Sequence, residues 1–262
     1  MENIYKQLVS GLKSFTARTG IKRAVLGLSG GLDSAVVAVL AAEAFGPGNV
    51  FAIAMPSEYT SDLSNEAAAE LAGRLGINFS VQPITPVFNL LNAQLQKDFE
   101  DGLAPLARQN LQSRARGVIT MAFANQLNAA ALPCGNKSEI YTGYCTLYGD
   151  TVGAIAPIAD LYKTEVYKLA EYINRNKEII PRVIIERAPS AELAPGQKDE
   201  DDLLPYPQLD IIIEEYVFKK TPLADIVKKS KASRRDVERM ILKIEGSAFK
   251  RAQLAPGIEV KR

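Results

Sequence analysis

The stretch Ala24–Phe45, AVLGLSGGLDSAVVAVLAAEAF, restricts this chain more than any other. An apolar run ends at Ser29-Gly30-Gly31, and an apolar helical pattern restarts after Asp33-Ser34. Gly30 and Gly31 let the backbone approach an anion closely, and a helix starting at Ser34 aims its free amides and positive dipole end at the same point. The turn is laid out as a phosphate cradle. It nevertheless lacks the Gly-Lys-Ser/Thr with which a Walker loop holds terminal phosphates, and it carries Leu32-Asp33-Ser34 instead. Asp33 has two readings: it caps the helix, or it holds Mg²⁺, because a carboxylate belongs in an anion cradle only with a cation between them. A site of the second kind suits pyrophosphate as leaving group, since it stabilises the charge that grows as the bond between the α- and β-phosphates breaks.

Around that turn, apolar runs alternate with helical patterns. Residues 2–19 read as a helix with Ile4, Leu8, Leu12 and Phe15 on one face. Strands are expected at 24–29, 49–57, 77–84 and 131–135. Helices are expected at Ser34–Phe45, at 61–76 with Ser61 or Asp62 as cap and Gly76 at the end, at 106–130 and at 164–176. This order implies an α/β fold: a doubly wound, mostly parallel five-stranded sheet with helices on both faces, followed from Leu209 by a helical C-terminal part. Such sheets bind ligands beyond the carboxyl ends of their strands, where Ser29–Ser34, Met55–Ser57 and Cys134–Glu139 fall. Residues 96–102 and the Pro-, Gly- and acid-rich 194–208 read as mobile loops.

Composition narrows the chemistry. Thirty-one Lys plus Arg balance 30 Asp plus Glu, so no electrostatic sheath for nucleic acid is expected. No apolar run approaches the roughly 20 residues of a membrane span, no signal peptide is evident, and the two cysteines, Cys134 and Cys145, have neither metal nor redox spacing. A cytoplasmic location is expected. The chain has no histidine, which removes Ser-His and Cys-His nucleophile pairs and most zinc sites. Carboxylates, lysines, arginines, hydroxyls, backbone amides and a hard metal are what is left.

SGGLDS resembles the signature of the ATP pyrophosphatases, which activate a carboxyl or carbonyl oxygen by adenylation. The loop alone leaves GMP synthetases, asparagine synthetases, tRNA-modifying enzymes and NAD synthetases open. NLQSRARG, GNKSE, GYCTLYGD, APIADLYKTEV, RAPSAEL and FKR occur in the order and at the spacings of NAD synthetases. Residues 1–262 resemble one NAD synthetase domain, most closely the synthetase domain of the glutamine-dependent enzymes. A non-catalytic adenine-nucleotide-binding module is the rival from another class; the presence of Asp33, Glu139 and Lys163 counts against it.

The resemblance implies roles residue by residue. Gly27, Leu28, Ser29, Gly30, Gly31, Leu32, Asp33 and Ser34 would line ATP, with Asp33 and Glu139 on Mg²⁺; the ordinary alternative for Glu139 is an acid in a first helical turn. Lys163 and Ser190 would contact ATP phosphates. Cys134 stands where the family commonly has an ATP-contacting threonine. Arg114 and Lys250 match residues that bind the dinucleotide, and a structural salt bridge is the alternative for Arg116. Leu147 and Ala154 stand where ammonia-dependent relatives place a substrate lysine and aspartate. Asp150 matches an acid near the ammonia site. With Asp33, Asp150 and Lys163 as catalytic residues, the reaction implied is ATP-dependent amidation of nicotinic acid adenine dinucleotide to NAD through an adenylated intermediate, releasing AMP and pyrophosphate. Free ammonia is the expected nitrogen source, with a separate glutaminase subunit as the alternative supplier, and a homodimer is expected.

Overall fold

The computed structural model describes residues 1–262. Four strands, β1 (Arg23–Gly27), β2 (Val50–Ala54), β3 (Asn78–Val81) and β4 (Ala129–Ala131), form one parallel sheet in the order β3-β2-β1-β4. Helices α1 (Glu2–Thr19), α2 (Leu32–Phe45), α3 (Asp62–Leu75), α4 (Thr85–Leu95) and α5 (Pro105–Leu127) wind around it. Short α6 (Lys137–Thr142), α7 (Lys163–Ile173) and short α8 (Arg182–Glu186) follow, and α9 (Tyr206–Ile213), α10 (Leu223–Ser230), α11 (Arg234–Gly246) and α12 (Ala248–Arg251) complete the chain. No helix is long and apolar enough to cross a membrane.

The register Ala24↔Val50 and Ala24↔Ala130 sets β1 between β2 and β4. β1 is therefore one of the two interior strands, and its carboxyl end opens into Leu28–Gly31. α2 is apolar on every side, with eleven of its residues buried, because it is covered by α1, α3 and α7 as well as by the sheet. α5 covers the opposite face, where Val25, Ile53, Ala124 and Ala131 form a small cluster. A third cluster, built on Leu209, Ile212, Ile213, Val237 and Met240, holds the C-terminal helices together.

The caps explain the boundaries. Ser61 accepts the Ser64 N–H at 3.2 Å at the head of α3, and Gly76, at φ 65°, ends it in the left-handed conformation. The helix at 85–95 had no counterpart in the sequence reading, although Pro86 stands in the first turn, where its missing N–H costs nothing.

The expected fifth strand does not form. Residues 152–158 run beside β4, and the Ala154 N–H donates to the Ala131 carbonyl at 2.8 Å. Pro133 and Pro157 have no N–H to continue a ladder, so one bond stands alone. Pro133 also stops β4 two residues beyond Ala131, earlier than the run 131–135 suggests. In 194–208, expected to be a loop, a short 3₁₀ turn at Asp199–Asp201 packs Asp199 into the interior.

Candidate active site

Gly30 adopts φ 78°, and a Cβ there would collide with the Ser64 carbonyl of α3. Only glycine combines that conformation with that approach. Ser34 ties the turn, accepting the Ser29 N–H at 3.2 Å while donating to the Gly31 carbonyl at 3.0 Å. The N-cap of α2 is Gly31, and no side chain caps the helix. Asp33 is therefore not the cap. It sits in the first turn with its carboxylate free to face the C-terminal edge of the sheet.

Three elements meet that carboxylate. Asn136, at the end of the β4 strand path, donates Nδ2–H to Asp33 Oδ1 at 3.0 Å. The same Asn136 caps α6 reciprocally: its Oδ1 accepts the Glu139 N–H at 3.1 Å, and its N–H donates to Glu139 Oε2 at 3.3 Å. Lys163, first residue of α7 and only 3% exposed, pairs with Asp33 Oδ2 and lies 3.4 Å from Glu139 Oε1. The backbone of Lys163 donates to Ser138 Oγ at 2.9 Å, and Ser138 in turn donates to Asp210 Oδ1. Asp33, Glu139 and Lys163, 130 residues apart at the extremes, thus form one centre.

Its electrostatics follow from a shortage of positive charge. Burial, reinforced by the nearby Asp33, pushes the Glu139 carboxyl up to about 8 against the pull of Lys163. Burial alone would lower the Lys163 ammonium, but Asp33 and Glu139 outweigh it and hold it above its ordinary range. Two oxygen-ligand carboxylates around one cation position, without a third acid able to join them, fit Mg²⁺, which takes one or two carboxylates plus substrate phosphates. Cys134 Sγ lies 4.0 Å from the Gly27 carbonyl, beside the loop, with burial pushing its thiol well up.

A second group gathers between α5 and Gly143–Asp150. Gly117 lets α5 touch the Tyr148 carbonyl, where a Cβ would lie at 2.6 Å. Arg114 Nε donates to the Leu147 carbonyl at 3.2 Å, and Lys250 Nζ reaches the Gly143 and Cys145 carbonyls, both at 2.7 Å. Leu147 and Lys250 are thus held in one neighbourhood with Arg114. Ala154 belongs to the β4 flank instead. Asp150 Oδ1 accepts the Thr146 N–H at 2.7 Å and the Ser113 hydroxyl at 2.9 Å. Solvent reaches Asp150, yet the crowding of its surroundings holds the carboxyl above its ordinary range. Arg116 makes no salt bridge. Its Nε donates to the Met55 carbonyl at 3.0 Å, and burial lowers its guanidinium to about 10. Ser190 donates to the Gln197 carbonyl at 2.6 Å and accepts the Glu192 N–H at 3.1 Å, pinning the 190–197 turn.

Sequence reasoning missed Asn136, whose spacing to Glu139 is that of a capping box, and Asp199, which no motif marked. Asp199 Oδ2 accepts from the Tyr206 hydroxyl at 2.7 Å, while Asp199 Oδ1 and the Tyr144 hydroxyl are buried without a partner.

A sequence model described as NAD synthase matches residues 4–254. The chain belongs to the NAD synthase family. That is a family of enzymes. A relative from Synechocystis sp. named glutamine-dependent NAD(+) synthetase is 44% identical over 259 residues, 99% of this chain and 46% of the relative. The chain therefore spans about half the length of the curated relatives it matches. A glutamine-dependent NAD+ synthetase from Acinetobacter baumannii, solved in complex with ADP, shares 37% identity at a TM-score of 0.69, covering 98% of this chain and 47% of that one. An NMN synthetase from Francisella tularensis shares 29% identity at a TM-score of 0.81, covering 95% of both chains.

Proposed function

We propose that this chain amidates nicotinic acid adenine dinucleotide to NAD at the expense of ATP, through an acyl-adenylate, releasing AMP and pyrophosphate. The observation that carries the reading is the convergence of Asp33, Glu139 and Lys163 on the glycine-rich turn at the end of β1. A carboxylate is a poor acyl donor because oxide is a poor leaving group, and adenylation replaces it with AMP.

The turn amides and the head of α2 receive the phosphates. Mg²⁺, held when bound by Asp33 and Glu139, supplies positive charge to the phosphate oxygens. Lys163 offsets charge as the dinucleotide carboxylate attacks the α-phosphorus and the bond to pyrophosphate breaks. Arg114 and Lys250 orient the dinucleotide from the Gly143–Asp150 side. Ammonia then adds at the acyl carbon, AMP leaves, and Asp150 takes the proton.

Free ammonia is the proposed donor. The greater length of the relatives supports a second supply, from glutamine by way of a glutaminase domain or subunit. A homodimer built partly on α5 is supported by the apolar side chains that the packed α4–α5 pair presents to solvent: Leu90 is 72% exposed, and Leu106 and Val118 are each 67% exposed. Light scattering gives the mass, and Leu106→Glu with Val118→Glu is expected to yield a monomer.

The test is incubation with Mg-ATP, the dinucleotide and either ammonium or glutamine, following NAD, AMP and pyrophosphate. NAD with ammonium alone supports the reading. AMP without NAD assigns nitrogen delivery to a partner, and no turnover with either donor overturns the assignment. Because one full-length structural match is named NMN synthetase, the corresponding acid mononucleotide is run in parallel, and preference for it would shift the substrate.

A further inference from the structure

We infer that Glu192 and Arg187 are positioning residues that clasp segment 187–201 onto the head of α3, so that the segment closes over the centre that holds the adenylate. Neither touches the reacting atoms, and this inference rests on the synthetase reading above.

Glu192 is not a glycine, yet it adopts φ +48°. Such a conformation persists where surrounding bonds over-determine it, and here they do. Its carboxylate pairs with the Arg187 guanidinium and accepts from the Ser61 hydroxyl at 3.2 Å and the Ser64 hydroxyl at 3.1 Å. Arg187 also donates to Ser64 Oγ. Both serines stand at the head of α3, and it is the Ser64 carbonyl that the Gly30 backbone touches. The clasp therefore closes on the outer wall of the phosphate turn.

From Glu192 the connection continues across the sheet edge. The Leu193 carbonyl accepts Gln112 Nε2–H at 3.0 Å from α5, beside Ser113, which holds Asp150. The Leu193 N–H donates to Gln197 Oε1 at 2.9 Å. Two residues further on, Asp199 is buried, with one oxygen unpartnered and its charge acting on Lys163. One segment thus spans the phosphate turn, the Lys163 centre and the wall carrying Asp150.

An acyl-adenylate reacts with whichever nucleophile reaches it. If water replaces ammonia at the acyl carbon, the bond to AMP breaks, the carboxylic acid re-forms, and ATP is spent without NAD. A fastened segment excludes that water. The clasp should therefore govern the ratio of AMP to NAD more than the rate of adenylation.

The full chain is compared with Glu192→Gln, Arg187→Met and the conservative Arg187→Lys. AMP and NAD are measured with Mg-ATP, the dinucleotide and ammonium, the rate of trypsin cutting after Lys198 is measured without substrates, and melting temperature serves as the folding control. The unaltered chain is expected to give AMP and NAD one for one. Glu192→Gln and Arg187→Met should raise AMP over NAD and speed the Lys198 cut by about tenfold, the weight of one charge-assisted hydrogen bond, with Arg187→Lys between them and the unaltered chain. A one-for-one ratio together with unchanged cutting in folded Glu192→Gln and Arg187→Met overturns the clasp. If the unaltered chain makes neither AMP nor NAD, the synthetase reading fails on its own, while the trypsin comparison still decides whether 187–201 is fastened by these residues.

Discussion

Glu139 and Glu215 are both withdrawn from bulk water, with side-chain exposures of 17% and 7%, one beyond the strand ends and one in the helical C-terminal part. They are held in opposite states. Glu215 accepts from Lys229 Nζ at 2.5 Å, Thr221 Oγ1 at 2.7 Å and Lys219 Nζ at 3.1 Å, and these donors hold its carboxyl down at about 2. Glu139 has a 3.3 Å backbone bond and a lysine it shares with Asp33, and burial leaves it at about 8. Burial raises the Glu139 carboxyl, which has too few donors to offset it, while three side-chain donors lower that of Glu215. Shortage of charge at the end of the glycine-rich turn is what the proposed metal–nucleotide complex would relieve.

The comparison breaks or sharpens through substitution. Asp33→Asn and Glu139→Gln should each reduce NAD formation about 10³-fold, the scale of losing a charge-stabilising group, while Glu139→Gln leaves the melting temperature level or raised. A fall in both would place Glu139 with Glu215 as a structural residue. Lys163→Met leaves two carboxylates facing each other and should destabilise the chain by about 3 kcal/mol, as read by denaturant unfolding. Added Mg²⁺ should recover part of that loss, because it restores positive charge between the same oxygens.

The pH dependence tests the same contrast with the sign fixed in advance. The folded chain keeps a proton on Glu139 that the unfolded chain releases above its ordinary 4.5, so in chelator the stability should fall as pH rises from about 4.5 to about 8. Glu139→Gln should flatten that slope. For Glu215 the order is reversed: its contribution is present above 4.5 and is lost as pH falls toward about 2. Glu215→Gln should flatten only this acid limb in a melting-temperature series. The smallest effect expected is on turnover in Glu215→Gln at neutral pH, where NAD formation should be unchanged although the chain melts earlier.

Much of this arrangement was legible beforehand because it is local. The glycine turn, Ser61 and Gly76 around α3, and the apolar α2 follow from residue type and spacing within a few positions. Asn136 was missed, although its Asn-x-x-Glu spacing is the local signal of a capping box. No run of residues in the sequence marked the expected fifth strand; 152–158, which flank β4, make one bond to it because Pro133 has no N–H to continue a ladder. Asp199 and Glu192 lie in a polar stretch whose composition reads as a loop, and their burial depends on Tyr206, Ser64 and Arg187 arriving from elsewhere.

The sequence by itself determined that a parallel sheet would end in a glycine-rich turn at a helix head with a carboxylate inside it, since backbone freedom and residue order settle those points locally. Its motifs also determined the family. Only the tertiary structure decided that Asp33, Asn136, Glu139 and Lys163 share one set of contacts, that Arg116 pairs with a carbonyl rather than an acid, and that the Glu139 carboxyl is raised while that of Glu215 is lowered. The reason is physical: a charge takes its energy from every group within a few ångströms, and those groups are brought together by strands and helices far apart in the chain.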